Sequence, residues 1–270
     1  MYIKTNQELQ QNGVAVLPNI ISAEWINTLQ IGCDKAIANP GPFAMQYSKN
    51  PTKQYFADSF MWNRIDEFKN FIFGSNIGKI VSKIMGGDDV YLFFDHLLVK
   101  EPYSNTSTPW HQDLPYWPLK GGKILSTWIP LDDIDSSSGR MEYIINHDAN
   151  KILYKPKNFG GDNRYANKPY PEIPDIDANK ELYDIVAYDT KQGDLLVFDD
   201  KIIHGSSGNT SNKRRRALSL RWVNQDVTFS GDEITIKIPS NHGLQAGDLM
   251  SKSHQFPLVW PQNNGETNNE

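Results

Sequence analysis

Apolar residues along the chain keep two different periods, one after the other. From Ser22 to about Ala38, the residues Trp25, Ile26, Leu29 and Ile37 recur at helical spacing, with Ser22 placed as cap and Glu24 in the first turn; Pro40-Gly41 ends that helix. A second amphipathic stretch predicts a helix over 65–85, carrying Phe68, Ile72, Ile77, Ile80, Val81 and Ile84 and stopped by Gly86-Gly87. Beyond it the period falls to two. Strands are predicted at 90–99, 123–131, 141–145, 194–199, 217–223 and 233–238. Helices followed by many strands give a mainly β fold with flanking helices, an antiparallel barrel or sandwich rather than β–α units around a parallel sheet.

Residues 154–181 are rich in Pro, Asn, Gly and Tyr, keep no sustained apolar period and exceed the usual length of a connection. Such loops often cover binding sites, so a lid or substrate loop is expected here, within one domain spanning 1–270. Residues from Gln262 onward read as a polar tail.

Apolar residues at 39% and charged residues at 22% suit a water-soluble globule. The start MYIKTNQELQQNG has neither the basic nor the apolar part of a secretory signal, and no apolar run is long enough for a bilayer, which gives a cytoplasmic expectation and no membrane partner. Cys33 is the single cysteine, so an internal disulfide and a cysteine-based zinc cluster are excluded, and Cys33 itself is expected as a small buried apolar residue. Histidine and carboxylate remain as metal ligands. A net charge of −5 argues against a nucleic-acid partner, with the tract Lys213-Arg214-Arg215-Arg216 as the local exception.

In Pro109-Trp110-His111-Gln112-Asp113 the imidazole and carboxylate stand two apart, so on a strand both would face one way and could grip one ion. Downstream, a strand through Asp199 turns into Ile202-Ile203-His204-Gly205, where a third ligand is available. Two histidines and one carboxylate on one face of an octahedron leave positions open, an arrangement suited to Fe(II) activating O2. The arginine at 215 enters a strand; facing inward, it would offer the two-pronged donor that a dicarboxylate cosubstrate requires. Strand alternation sets Arg215 opposite to Arg214 and Arg216, which are expected to be solvated. His96, His147, His242 and His254 lack ligand-like partners at useful spacing and are assigned structural or surface roles; Asp95, adjacent to His96, faces the other way.

The chain resembles the phytanoyl-CoA dioxygenase family of Fe(II)/2-oxoglutarate oxygenases from end to end. The resemblance is carried by Gly13-Val-Ala-Val-Leu-Pro18, His111-Gln-Asp-Leu-Pro-Tyr-Trp-Pro118, Trp128-Ile-Pro-Leu131, Gly193-Asp-Leu-Leu-Val-Phe198, His204-Gly-Ser206, Arg215 and Phe256-Pro-Leu-Val-Trp-Pro261. It implies a double-stranded β-helix, a cupin-like jelly-roll barrel with iron at its mouth. It further implies His111, Asp113 and His204 as ligands, Arg215 on the distal carboxylate of 2-oxoglutarate, and Ser206 and Trp128 as further cosubstrate contacts. The sequence departs from the family at Ile144-Ile-Asn-His-Asp148, where a Pro-Gly-Ser-His turn is common.

The implied reaction consumes O2 and 2-oxoglutarate, releases succinate and CO2, and hydroxylates a C–H bond of a small metabolite or natural product. Asp113 disfavours halogenation, which needs a small residue at that position. Acyl-CoA hydroxylation, and desaturation, epoxidation or cyclisation with the same oxidant, stay open, as does an inactive metal-binding barrel. Position alone offers Tyr116, Trp117, Arg140 and the 154–181 loop as substrate contacts; oligomeric state is not indicated.

Overall fold

The computed structural model describes residues 2–48, 50, 54–145, 151–157, 159 and 163–262. The chain opens with helix α1 (Tyr2–Asn12), strand β1 (Val14–Leu17), helix α2 (Ala23–Ala38) and strands β2 (Met45–Gln46) and β3 (Tyr55–Ser59). Two short helices, α3 (Asp66–Gly74) and α4 (Ile77–Ile84), precede β4 (Val90–Lys100), β5 (Thr108–His111), β6 (Leu119–Lys120) and β7 (Ile124–Pro130). After β8 (Met141–Ile145) and the long loop come β9 (Asp184–Ala187), β10 (Leu195–Asp199), β11 (His204–Ser206), β12 (Arg215–Asn224), β13 (Thr228–Phe229) and β14 (Leu258–Trp260).

The larger sheet has 8 strands in the order β1-β10-β7-β12-β4-β3-β2, with β14 added to β4; the smaller has 4, ordered β5-β11-β8-β9. Their inner faces meet through Trp128, Leu196, Phe198 and Ala217 on one side and Met141 and Tyr143 on the other. This is the expected jelly roll, formed by two facing sheets rather than one closed ladder. The sandwich shape follows from strand alternation. On β12, Leu218, Leu220 and Trp222 join the core under α2, α3 and α4, while Ala217 packs inward. Arg215, Ser219 and Arg221 share that inward phase.

Several sequence expectations hold. Ser22 caps α2 by accepting the Trp25 N–H, and Cys33 is fully buried on the inner side of α2. Others change. The helix expected over 65–85 breaks after Gly74, because Ser75 is extended (φ −91°, ψ 176°) and its Oγ accepts the Ile77 N–H instead. The strand expected at 233–238 is absent: the alternating Ile234, Ile236 and Ile238 pack on an aromatic cluster without a ladder. The alternation was real, but it came from burial against side chains rather than from a pleat. The loop at 154–181 divides its work. Tyr154, Ile173 and Ile176 cover the outer face of the small sheet beside Trp110, Ile144 and Ile203, while residues between them reach back to the cavity described below. Asn146, His147 and Asp148 of the divergent turn and the tail beyond Gln262 lie outside the described residues. Among those described, no helix is long and apolar enough to cross a membrane.

Candidate metal centre and cosubstrate pocket

A cavity of about 630 Å³ opens between the two sheets, and the three expected ligands lie in its wall. His111 ends β5 and His204 begins β11, and the two are direct cross-strand partners. Gly205 permits this approach, since a Cβ there would lie 3.0 Å from the Thr108 carbonyl oxygen. Asp113 does not share their strand face, contrary to the spacing argument. Its backbone is helical (φ −75°, ψ −47°) and it leads into a short 3₁₀ turn, Leu114–Tyr116, tied down by the Leu114 N–H on the Asp200 carbonyl at 2.9 Å. Convergence therefore comes from the turn. One nitrogen from each imidazole and one carboxylate oxygen lie within 4.8 Å of one another, with Asp113 Oδ1 at 3.8 Å from His111 Nε2 and 4.0 Å from His204 Nε2.

The atoms behind these ligands fix their orientation. His111 Nδ1 lies 2.8 Å from the Pro109 carbonyl oxygen and His204 Nδ1 2.9 Å from that of Ile202. A carbonyl can only accept, so each Nδ1 carries the proton and each Nε2 presents a lone pair to the centre. Burial, followed by the neighbouring His204, pushes His111 down to about 3; burial also lowers His204. Both rings are thus neutral at neutral pH. On Asp113, Oδ2 accepts from Ser126 Oγ at 3.1 Å and faces Arg221 Nη2 at 3.2 Å, leaving Oδ1 for an ion. Burial alone would raise this carboxyl, but the Arg221 guanidinium and the Ser126 hydroxyl hold it below the usual range. Neutral imidazoles and an ionised carboxylate within one small sphere are the donor set of an octahedral Fe(II) site with open positions, so the residues fit the metal.

At the other end of the cavity stands Arg215, 1% exposed, its guanidinium 4.8 Å from the Trp128 ring centre. Nη2 donates to the Gly139 carbonyl at 3.1 Å, whereas Nε and the Trp128 indole N–H are buried without a partner. Among the described residues no carboxylate pairs with Arg215. An unpaired guanidinium in a dry wall calls for an anionic ligand, and 2-oxoglutarate supplies one. Ser206 Oγ accepts from Lys100 Nζ at 2.6 Å, and Lys100, buried and opposite Arg215 in the ladder, also donates to the Ser207 carbonyl. Burial and then Arg215 push the Lys100 amine well below its ordinary range.

Tyr116 and Trp117 do line the cavity, Tyr116 through its ring against His111 and Trp117 beneath Arg221. Arg140 does not. It pairs with Asp189 at 2.6 Å outside the cavity, because Met141 is the residue of that strand end that faces inward. Nor are the outer arginines simply solvated: Arg214 pairs with Glu101, and Arg216 is a half-buried partner of Asp132. Sequence reasoning missed Lys100, Arg221 and His96, all on inward positions of β4 and β12, and assigned His96 away from the site it in fact lines. It also missed Gln112, whose amide bonds the carbonyls of Ile152 and Lys201 and the Tyr154 N–H, tying the long loop to the centre. A period-two count through β4 would have put His96 and Lys100 on one face.

Comparison with known proteins agrees with this geometry. The peroxisomal phytanoyl-CoA dioxygenase of Mus musculus is 25% identical over 231 residues, covering 80% of this chain and 67% of that protein. The non-heme alpha ketoglutarate dependent carbocyclase SnoK from nogalamycin biosynthesis superposes with a TM-score of 0.75 at 18% identity, covering 95% of each chain. The epimerase SnoN in complex with Fe3+, alpha ketoglutarate and nogalamycin RO gives 0.77 at 14% identity, covering 96% of this chain and 98% of that one. Residues 9–217, a span that includes the metal centre and Arg215, match the family model of phytanoyl-CoA dioxygenase (PhyH), and the chain therefore belongs to this family of Fe(II)- and 2-oxoglutarate-dependent oxygenases.

Proposed function

We propose that the enzyme hydroxylates an unactivated C–H bond of a small metabolite or natural product, consuming O2 and 2-oxoglutarate and releasing succinate and CO2. The observation that carries this reading is the placing of His111, Asp113 and His204 at one end of a single cavity and the unpaired Arg215 at the other. Those three side chains would hold the iron, which would supply the O2 and one-electron chemistry when bound. The protein supplies the rest. Pro109 and Ile202 carbonyls aim the imidazoles, Ser126 and Arg221 occupy the second oxygen of Asp113, and Arg215 with Trp128 anchors the distal carboxylate of 2-oxoglutarate. Ser206, fixed by Lys100, lies beside that end of the pocket.

The aromatic rings of Phe94, Tyr116, Trp117 and Phe159 wall part of the space in front of the metal site. Lys157, Phe159, Arg164 and Tyr165 bring the 154–181 loop to the same opening, in keeping with a lid. A volume of about 630 Å³ suits a compact molecule beside the cosubstrate rather than an acyl chain of many carbons with its carrier. The test is succinate formation from 2-oxoglutarate under O2 with Fe(II), screened against a metabolite library. Hits should give hydroxylated product by mass spectrometry, one per succinate; no succinate with any metal-loaded preparation would sink the proposal.

A further inference from the structure

The cavity in front of the metal site holds a second polar pair, His96 and Arg221, beside the rings of Phe60, Phe94, Trp117 and Phe198. His96 pairs with Ser219 across the β4–β12 ladder and Arg221 with Phe94, so both side chains project from neighbouring inward positions into the cavity. Arg221 is rigid: Nη1 donates to Ser219 Oγ at 2.5 Å, Nη2 faces Asp113, and the guanidinium lies 5.6 Å from the ring centres of both Trp117 and Phe198. Its Nε is buried without a partner, and the His96 imidazole makes no hydrogen bond with any described residue. Two nitrogen-bearing groups with donors to spare, lodged among rings, mark a place for a ligand oxygen.

Formal charge identifies that oxygen. Asp113 is the sole carboxylate among the described residues lining the cavity, and Arg215 and Arg221 are both buried in its wall. Fe(II) and the 2-oxoglutarate dianion cancel, and Asp113 offsets one guanidinium. One buried positive charge is left over. Lys157, Arg164 and Lys237, exposed at the opening, add to the same sign in a chain whose net charge is −5. A charge enclosed by aromatic walls is unfavourable unless it is met by its opposite.

Building on the function proposed above, we infer that the substrate is a monoanion, a carboxylate on an aromatic or alicyclic skeleton, whose anionic oxygens are received by His96 and Arg221 while the skeleton packs against Phe60, Phe94 and Trp117. Burial holds the His96 imidazole down at about 3, so it serves as a neutral hydrogen-bonding group and Arg221 as the charge. This pair would fix which carbon faces the metal, making it a specificity determinant.

The experiment titrates the anaerobic Fe(II)–2-oxoglutarate complex with 3-phenylpropanoate, cyclohexanecarboxylate and 2-naphthoate, and with the primary amide of each, following the visible metal-to-ligand absorption band. At least one carboxylate should shift the band and bind about tenfold or more tightly than its amide, the advantage of a charge-assisted over a neutral hydrogen bond. His96→Leu should cut that ratio severalfold, and His96→Gln, which keeps an N–H donor, should restore part of it. Amides binding as well as acids, no shift with any carboxylate at millimolar concentration, loss of the band through displacement of 2-oxoglutarate, or a ratio untouched by His96→Leu would each overturn the inference. A band that never forms with Fe(II) and 2-oxoglutarate alone would overturn the proposed function instead.

Discussion

Replacing Arg215 by leucine should do two things of opposite sign. In the ligand-free protein the guanidinium is 1% exposed and makes one main-chain hydrogen bond, to Gly139, with no carboxylate partner. Losing that bond costs about 1 kcal/mol, whereas relieving the desolvation of an unpaired cation returns several, so the apo variant should melt no lower than the wild type. With 2-oxoglutarate the order reverses. A bidentate, charge-assisted contact contributes about 2–4 kcal/mol, so the variant's Kd should rise roughly thirty- to a thousand-fold. Thermal melts with and without cosubstrate show both effects. At a hundred times Kd the wild type gains about 2.7 kcal/mol, or roughly 5–10 °C for a domain of this size, and Arg215→Leu should gain almost nothing at that concentration. Arg214→Leu, which removes an ion pair at a side chain 40% exposed, should cost under about 1 kcal/mol and leave the 2-oxoglutarate shift intact. Arg216→Leu should cost more stability, since its bond to Asp132 is two-pronged and half-buried, again without touching the cosubstrate. An undiminished shift in Arg215→Leu, or an equal loss in all three variants, would refute the reasoning.

Other outcomes follow from the same geometry. His111→Ala and His204→Ala should each abolish Fe(II) binding and 2-oxoglutarate turnover, as measured by metal content after desalting and by succinate release; normal turnover in either would remove that residue from the ligand set. Asp113→Gly should lose hydroxylation without gaining halogenation in chloride buffer, and product analysis by mass spectrometry decides it. Asp95 is fully buried, and burial raises its carboxyl from 3.8 to about 7 despite the Met61 N–H it accepts. Between those values the folded state holds a proton that the unfolded state has released, so the contribution of Asp95 is full below about pH 4 and is lost as pH rises through 7. Asp95→Asn should therefore raise the melting temperature at pH 8 and change it little at pH 4; an equal effect at both would show that Asp95 titrates normally.

The sequence carried the metal centre because its ligands are few, chemically distinctive and bound to short local motifs. Residue type and the family motif picked out His111, Asp113, His204 and Arg215, although the strand-face argument that paired His111 with Asp113 failed, because a turn rather than a pleat brings Asp113 in. What it hid were relations across the sheets. Arg221 belongs to the site only because β12 lies beside β7, bringing it against an Asp113 already held by Ser126. Lys100 belongs there only because it stands opposite Arg215. His96 was set aside for want of a partner nearby in sequence, although a cavity-facing residue needs none. The false strand at 233–238 shows the converse: period-two burial arises wherever a coil alternately touches a wall, and only the absence of a ladder tells the two apart.

One strand, β12, acts as a ruler for the whole chamber. Arg215 and Arg221 stand on the same face of it six residues apart, which at the rise of a β-strand is about 20 Å of backbone. The distance between the cosubstrate anchor and the group braced on Asp113 is thus set by a count of peptide units, not by side chains that could be exchanged gradually. The two guanidiniums can approach or separate only in steps of about 7 Å, two residues at a time, because an odd insertion would turn one of them toward the helices. Chambers of graded depth cannot be reached along this strand by substitution. New substrates must be accommodated across its width, by the residues of β3, β4 and the long loop, while the length stays fixed.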